Sequence, residues 1–186
     1  MINPTRQTKG SDDFKISRML RKDFTAKQAT EVAELHDLEW TNGPFWRWSM
    51  PKWADNATFY VIENKHLLEV VGFGVVAATN ESQVSFTKIE NGLRLNLATI
   101  GQPYRGLGLF SELVRLQLSD AVRDGVEMVT AWATSDIVAP TIARRLKEMR
   151  RGGLIKDYEG KIEWEDLGIC LEAGRFQGEM EIKLIT

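Results

Sequence analysis

Apolar and polar positions switch period in the middle of the chain, and the switch marks its central feature. Leu93, Leu95 and Leu97 alternate with Arg94, Asn96 and Ala98, a period of two that predicts a strand with unlike faces. Gly101 and Pro103 end it. From Phe110 the period lengthens: Phe110, Leu113, Val114, Gln117, Leu118, Ala121 and Val122 fall three and four apart, which predicts an amphipathic helix. Gly125 is placed to stop that helix, because glycine takes the left-handed conformation at little cost. Val126, Met128, Val129, Ala131, Trp132 and Ala133 then form a nearly continuous apolar run, the pattern of a strand buried on both faces. Strand, helix and strand in succession imply parallel pairing.

The flanking segments follow the same rules. Phe14 to Leu20 reads as a short strand, and Thr25 caps a helix carried by Ala26, Ala29, Val32, Ala33 and Leu35 up to Trp40. Thr58 to Ile62 and Leu67 to Ala78 read as strands separated by a turn at Asn64-Lys65, with further turns at Asn80-Glu81 and Glu90-Asn91-Gly92. These strands predict an antiparallel meander. Pro140 suits the first turn of another helix, with Ile142, Ala143, Leu146 and Met149 on one side and Gly152-Gly153 at its end. Leu154 to Tyr158, Lys161 to Trp164 and Phe176 to Ile185 read as short strands, the last a one-sided antiparallel edge. The fold class predicted is α/β with a mixed sheet, one domain over residues 1–186, without repeats or an internal linker.

The turn between the central strand and helix is the place for chemistry. Gly106 and Gly108 carry no side chains, the first helical turn offers unpaired amides, and Arg105 adds a fixed charge, a combination that suits an anion such as a phosphate. A dinucleotide fingerprint competes for the same glycines, but Ser111 occupies its third glycine position. A P-loop is excluded, since no Gly-Lys-Ser/Thr follows. The structural alternative is that the two glycines only permit tight strand-to-helix packing.

Composition narrows the classes. Apolar residues make up 43% and charged residues 27%, ordinary for a soluble globular chain. A net charge of -2 argues against a nucleic-acid binder driven by phosphate neutralisation, and the basic cluster Arg144, Arg145, Lys147, Arg150 and Arg151 reads as a solvated helix face. Cys170 is the single cysteine, so neither a disulfide framework nor a thiolate zinc site is expected, and no metal is implied. The first residues carry no apolar segment, so the expectation is a cytoplasmic protein without a membrane span.

Arg105-Gly106-Leu107-Gly108-Leu109-Phe110 resembles the acyl-CoA signature R/Q-x-x-G-x-G/A of the GCN5-related N-acetyltransferases (GNAT), with Arg105 and Gly108 on its first Arg and first Gly and Phe110 on its closing small residue. Val70-Val71-Gly72-Phe73-Gly74-Val75-Val76 resembles that family's third strand. Ala143 and Leu146 match its second cofactor element N-x-x-A-x-x-L-Y, whose Asn is Pro140 here and whose Tyr, often the general acid for the departing thiolate, is Lys147. The resemblance implies a mostly antiparallel sheet with a parallel β-α-β core flanked by helices. It further implies acetyl-CoA or another acyl-CoA as cofactor, held by Arg105, Gly106, Leu107, Gly108, Leu109, Phe110 and Ser111, with the pantetheine arm along Thr99 and Ile100.

The reaction so implied is direct attack by an amine, from a small molecule or a peptide, on the thioester. Asp136 and Glu90 are the candidate proton acceptors. Trp40, Phe45, Trp46, Trp48 and Trp53 crowd around Gly43-Pro44 and Pro51, and the resemblance assigns that aromatic segment, Trp40, Trp46 and Trp48 above all, to the wall of an acceptor pocket. His36 and His66 read as packing or surface residues. The alternatives are a catalytically idle protein of the same fold that binds CoA or a partner, and a nucleotide-binding regulator.

Overall fold

A computed structural model describes residues 11–39, 57–78, 91–133, 137–165 and 177–186. Among the described residues one seven-stranded mixed sheet carries three α-helices. In chain order these are β1 (Phe14–Leu20), α1 (Ala26–Glu39), β2 (Thr58–Asn64), β3 (Glu69–Ala78), β4 (Gly92–Ile100), α2 (Leu109–Arg123), β5 (Met128–Ala133), α3 (Val138–Arg151), β6 (Asp157–Glu165) and β7 (Gln177–Ile185). Strand order across the sheet is β1-β2-β3-β4-β5-β7-β6. Every neighbouring pair is antiparallel except β4 and β5, the two strands joined through α2.

Local chemistry sets the helix ends. Thr25 and Gln28 form a reciprocal cap: the Gln28 amide donates to Thr25 Oγ1 at 3.1 Å and the Thr25 amide to Gln28 Oε1 at 3.0 Å. At the far end of α2 the Gly125 amide donates to the Val122 carbonyl and the Val126 amide to the Ala121 carbonyl, with Gly125 at φ 73°. That pair of bonds is the Schellman closure, and it explains why a glycine stands there. Gly153 closes α3 in the same way.

The sheet separates two apolar layers. On one face Val32 and Leu35 of α1 pack against Phe59, Val61, Phe73 and Val75. On the other, Leu109 and Leu113 of α2 cover Tyr60, Ile62 and Val71, while Leu118 joins Ile142, Leu146 and Met149 of α3 over Val129, Met180 and Ile182. β5 is buried as expected: Val129, Thr130 and Ala131 are at most 2% exposed.

Two sequence expectations need correction. β7 is not an edge: Ile182 pairs with Val129 of β5 on one side and with Gly160 of β6 on the other. The alternation of Met180, Ile182 and Leu184 correctly marks the packed face, but side-chain alternation reports burial and not whether the two backbone ladders are filled. Leu154 to Tyr158 and Lys161 to Trp164 are not two strands: Leu154 to Lys156 precede β6, and Asp157, Tyr158 and Lys161 to Trp164 share that one strand, because Gly160 stays in the ladder opposite Ile182 and does not turn the chain.

Candidate functional site

β4 and β5 start as partners and then part. Their parallel pairing runs from Gly92 with Met128 to Leu95 with Ala131, although β4 continues to Ile100 and β5 to Ala133. The separation begins where β4 bulges. Val75 of β3 pairs with Leu97 and Val76 with Leu95, so Asn96 is an extra residue on the β4 side. A bulge bends and twists its strand, and this one turns the end of β4 away from β5 while β3 holds it on the other side.

The ladder also fixes which amides of β4 face the gap. The Gly101 amide donates to the Val71 carbonyl at 2.9 Å, so Gly101 and, by alternation, Thr99 point their backbone groups at β3. Ala98 and Ile100 point theirs to the β5 side. Consistently, the Ile100 carbonyl accepts a bond from Arg105 Nε at 3.0 Å.

Beyond Gly101 a single 3-10 turn, Gln102–Tyr104, redirects the chain. The Tyr104 amide returns to the Gly101 carbonyl at 2.9 Å and the Arg105 amide to Gln102 at 3.3 Å. Tyr104 anchors this turn from outside: its hydroxyl donates to the Glu69 carboxylate at the start of β3, and its ring meets Phe14 edge-on at 5.9 Å. The bond to Glu69 holds the Tyr104 hydroxyl above its ordinary pKa. Gly106 and Gly108 then take left-handed φ values of 81° and 80°, and α2 begins at Leu109.

The first amide of α2 with a helical acceptor is that of Glu112, bonded to the Gly108 carbonyl at 3.1 Å. The amides of Gly106, Leu107, Gly108, Leu109, Phe110 and Ser111 have no acceptor among the described residues. Six such amides in sequence at a helix start form a concave donor surface backed by the positive end of the helix. Around Gly106 no atom lies within 4 Å of where a Cβ would stand, so the surface is open on that side. Leu109 is buried, and Phe110 turns its ring toward both apolar clusters under α2; a large residue at position 110 therefore packs sideways and leaves its own amide uncovered.

Helix α3 brings two cations to this helix start. Arg144 donates to Ser111 Oγ at 2.6 Å, and Arg145 Nε to the Ser111 carbonyl at 2.9 Å. Arg145 is further held by Glu148 at 2.6 Å and approaches Glu112 at 3.8 Å. Glu112 also accepts from Arg115, and that contact, ahead of the other charges, holds its carboxyl below the ordinary range. The basic cluster of α3 is therefore not only a solvated face: the packing of α3 on α2, which no local pattern encodes, brings Arg144 and Arg145 to the start of α2.

The remaining site expectations divide. Arg105, Gly106, Leu107, Gly108, Leu109, Phe110 and Ser111 follow one another through the turn into the first turn of α2, and Ile100 ends β4 just before it. Trp40, Trp46, Trp48, Glu90 and Asp136 lie outside the described residues. His36 is buried in α1, and His66 sits beside a turn with Asp13 at 3.2 Å. Lys147 is exposed. Among the described residues no group of His, Cys, Asp and Glu could hold a metal ion, and no helix is long and apolar enough to cross a membrane.

No protein-family model matches the chain, and no curated protein matches it. Solved structures do. An acetyltransferase from Bacillus subtilis in complex with CoA aligns at TM-score 0.57 with 12% identity, over 92% of this chain and 100% of that one. The IAA acetyltransferase from Bacillus cereus aligns at 0.55 with 13% identity, over 92% and 99%. The ribosomal-protein-S18-alanine N-acetyltransferase from Escherichia coli aligns at 0.55 with 12% identity, over 93% and 94%.

Proposed function

On a chain that has the fold of the GCN5-related N-acetyltransferases, we propose an acyl-CoA-dependent N-acyltransferase, with acetyl-CoA as the acyl donor and an amine as the acceptor. One coincidence carries this reading: the six uncovered amides of Gly106 to Ser111 stand at the mouth of the gap that opens where β4 leaves β5. A diphosphate fits the first, and an extended arm with amide groups of its own fits the second. The fit is tested by the backbone itself, since the glycines at 106 and 108 leave the donor surface bare and Arg105 stands beside it.

Bound acyl-CoA would supply the thioester carbonyl that the amine attacks. The chain's own contribution is placement and polarisation. The Gly106 to Ser111 amides hold the diphosphate. The backbone groups of Ala98 and Ile100, which face the gap, would pair with the arm, and that of Ile100 would polarise the carbonyl; the Thr99 backbone faces β3. Asp136 and Glu90 take the proton of the attacking amine, directly or through water. Trp40, Trp46 and Trp48 wall the acceptor side.

The competing reading, a CoA-binding protein without transferase activity, draws on Lys147 at the position of the family's acid tyrosine. Calorimetric titration with acetyl-CoA followed by thiol release over a broad panel of amines separates the two. Binding with release from at least one amine supports the transferase; binding without release from any supports the idle protein; absence of binding removes both.

A further inference from the structure

The two arginines that α3 lends to the start of α2 are not equivalent. Arg145 is largely covered, with its side chain 18% exposed, and is neutralised by Glu148 and Glu112 while its Nε secures the Ser111 carbonyl. That is a tie between two helices. Arg144 is exposed, and its one contact among the described residues is neutral, the Ser111 hydroxyl at 2.6 Å. A guanidinium with no carboxylate partner among the described residues is thereby held against the positive end of a helix, where the dipole disfavours cations. The same Ser111 contributes one of the six amides without an acceptor. One hydroxyl thus stands between a permanently charged donor and a run of amides without acceptors among the described residues, a set of donors that an anion can share.

We infer that Arg144 is a phosphate-reading residue of the acyl-CoA site: on binding it exchanges the Ser111 hydroxyl for a phosphate oxygen of the ligand and sets the preference for the phosphorylated nucleotide end. This rests on the proposed acyl-CoA reading and adds to it a residue outside the glycine turn. A guanidinium is suited to the task by its planar, permanently charged donor fork. The phosphate engaged is either part of the diphosphate or the 3′-phosphate of the ribose, and the two are distinguished by the ligand used.

The test is titration of the wild type, Arg144→Gln and Arg144→Lys with CoA and with dephospho-CoA, together with the thermal midpoint of each ligand-free protein. Arg144→Gln is expected to weaken CoA binding roughly tenfold, with part of the loss recovered in Arg144→Lys. The ligand-free thermal midpoint of Arg144→Gln is expected to hold or rise, which a purely structural arginine would not allow. If the 3′-phosphate is the contact, Arg144→Gln and wild type bind dephospho-CoA alike; if the diphosphate is, the loss appears with both ligands. Equal CoA affinity in Arg144→Gln and wild type, or a weakened affinity matched by a fall in thermal midpoint, overturns the inference while leaving the acyl-CoA reading in place. Failure of the wild type to bind CoA at all overturns both.

Discussion

A methyl group added at Gly106 meets nothing, yet its backbone is held at φ 81°, where L side chains are strained by about 1–2 kcal/mol. Gly108 has the same conformation and caps α2. Gly106→Ala and Gly108→Ala are therefore expected to lower stability by about that amount and to reduce acetyl-CoA affinity by far more, on the order of tenfold or greater, because a Cβ at either position intrudes on the donor surface. Calorimetry beside urea unfolding checks this; affinity and stability falling together in proportion would mean the glycines serve packing alone. At this scale the sequence was informative where chemistry is local. Two glycines after a strand and before an apolar helical stripe mark the left-handed turn found at Gly106 and Gly108. Arg144 was not legible, since its role depends on which residue of another helix it meets, nor was the contact between Tyr104 and Glu69, separated by 35 positions.

Elements are joined by charges as well as by apolar faces. Tyr60 of β2 is 2% exposed and donates to Asp120 of α2 at 2.8 Å, with Arg18 of β1 and Arg123 on the same carboxylate. Burial first, and then the bond to Asp120, push the Tyr60 hydroxyl well above its ordinary pKa. Tyr60→Phe is expected to cost about 1–3 kcal/mol in urea unfolding, since it strips a donor from a nearly buried carboxylate; a loss below about 0.5 kcal/mol would show that the two arginines satisfy Asp120 unaided. In the first turn of α2 the pH effect has a definite sign. Glu112 has a folded pKa below its ordinary 4.5, so the folded state binds its proton less readily than the unfolded chain does. Its stabilising contribution is present above about pH 4.5 and is lost as the pH falls through the lower, folded value. Wild type is therefore expected to exceed Glu112→Gln in stability at pH 7 and to match it near pH 3, as read from urea midpoints; a difference independent of pH would exclude the ion pair as its source. Strand and helix positions were readable from period and caps, as Thr25 and Gly125 show. The place of β7 between β5 and β6 was not, because a one-sided strand looks the same at an edge and inside a sheet.

For the whole molecule, the decisive feature is a sheet that comes apart at one joint. The parallel β4-β5 pair follows from a strand, a crossover helix and a buried strand in succession, and so was legible. Its opening after Leu95 was not, because a bulge at Asn96 leaves no mark in the alternation of Leu93, Leu95 and Leu97. On the proposed reading a diphosphate would sit at the α2 start and an extended arm would run along β4. The most direct measurement is amide chemical-shift mapping of the 15N-labelled protein during titration with CoA. The largest shifts are expected at Gly106 through Ser111, with further shifts at Ala98 and Ile100 and little change at Thr99. CoA binding that leaves the Gly106 to Ser111 amides unmoved, or no binding, would contradict that reading.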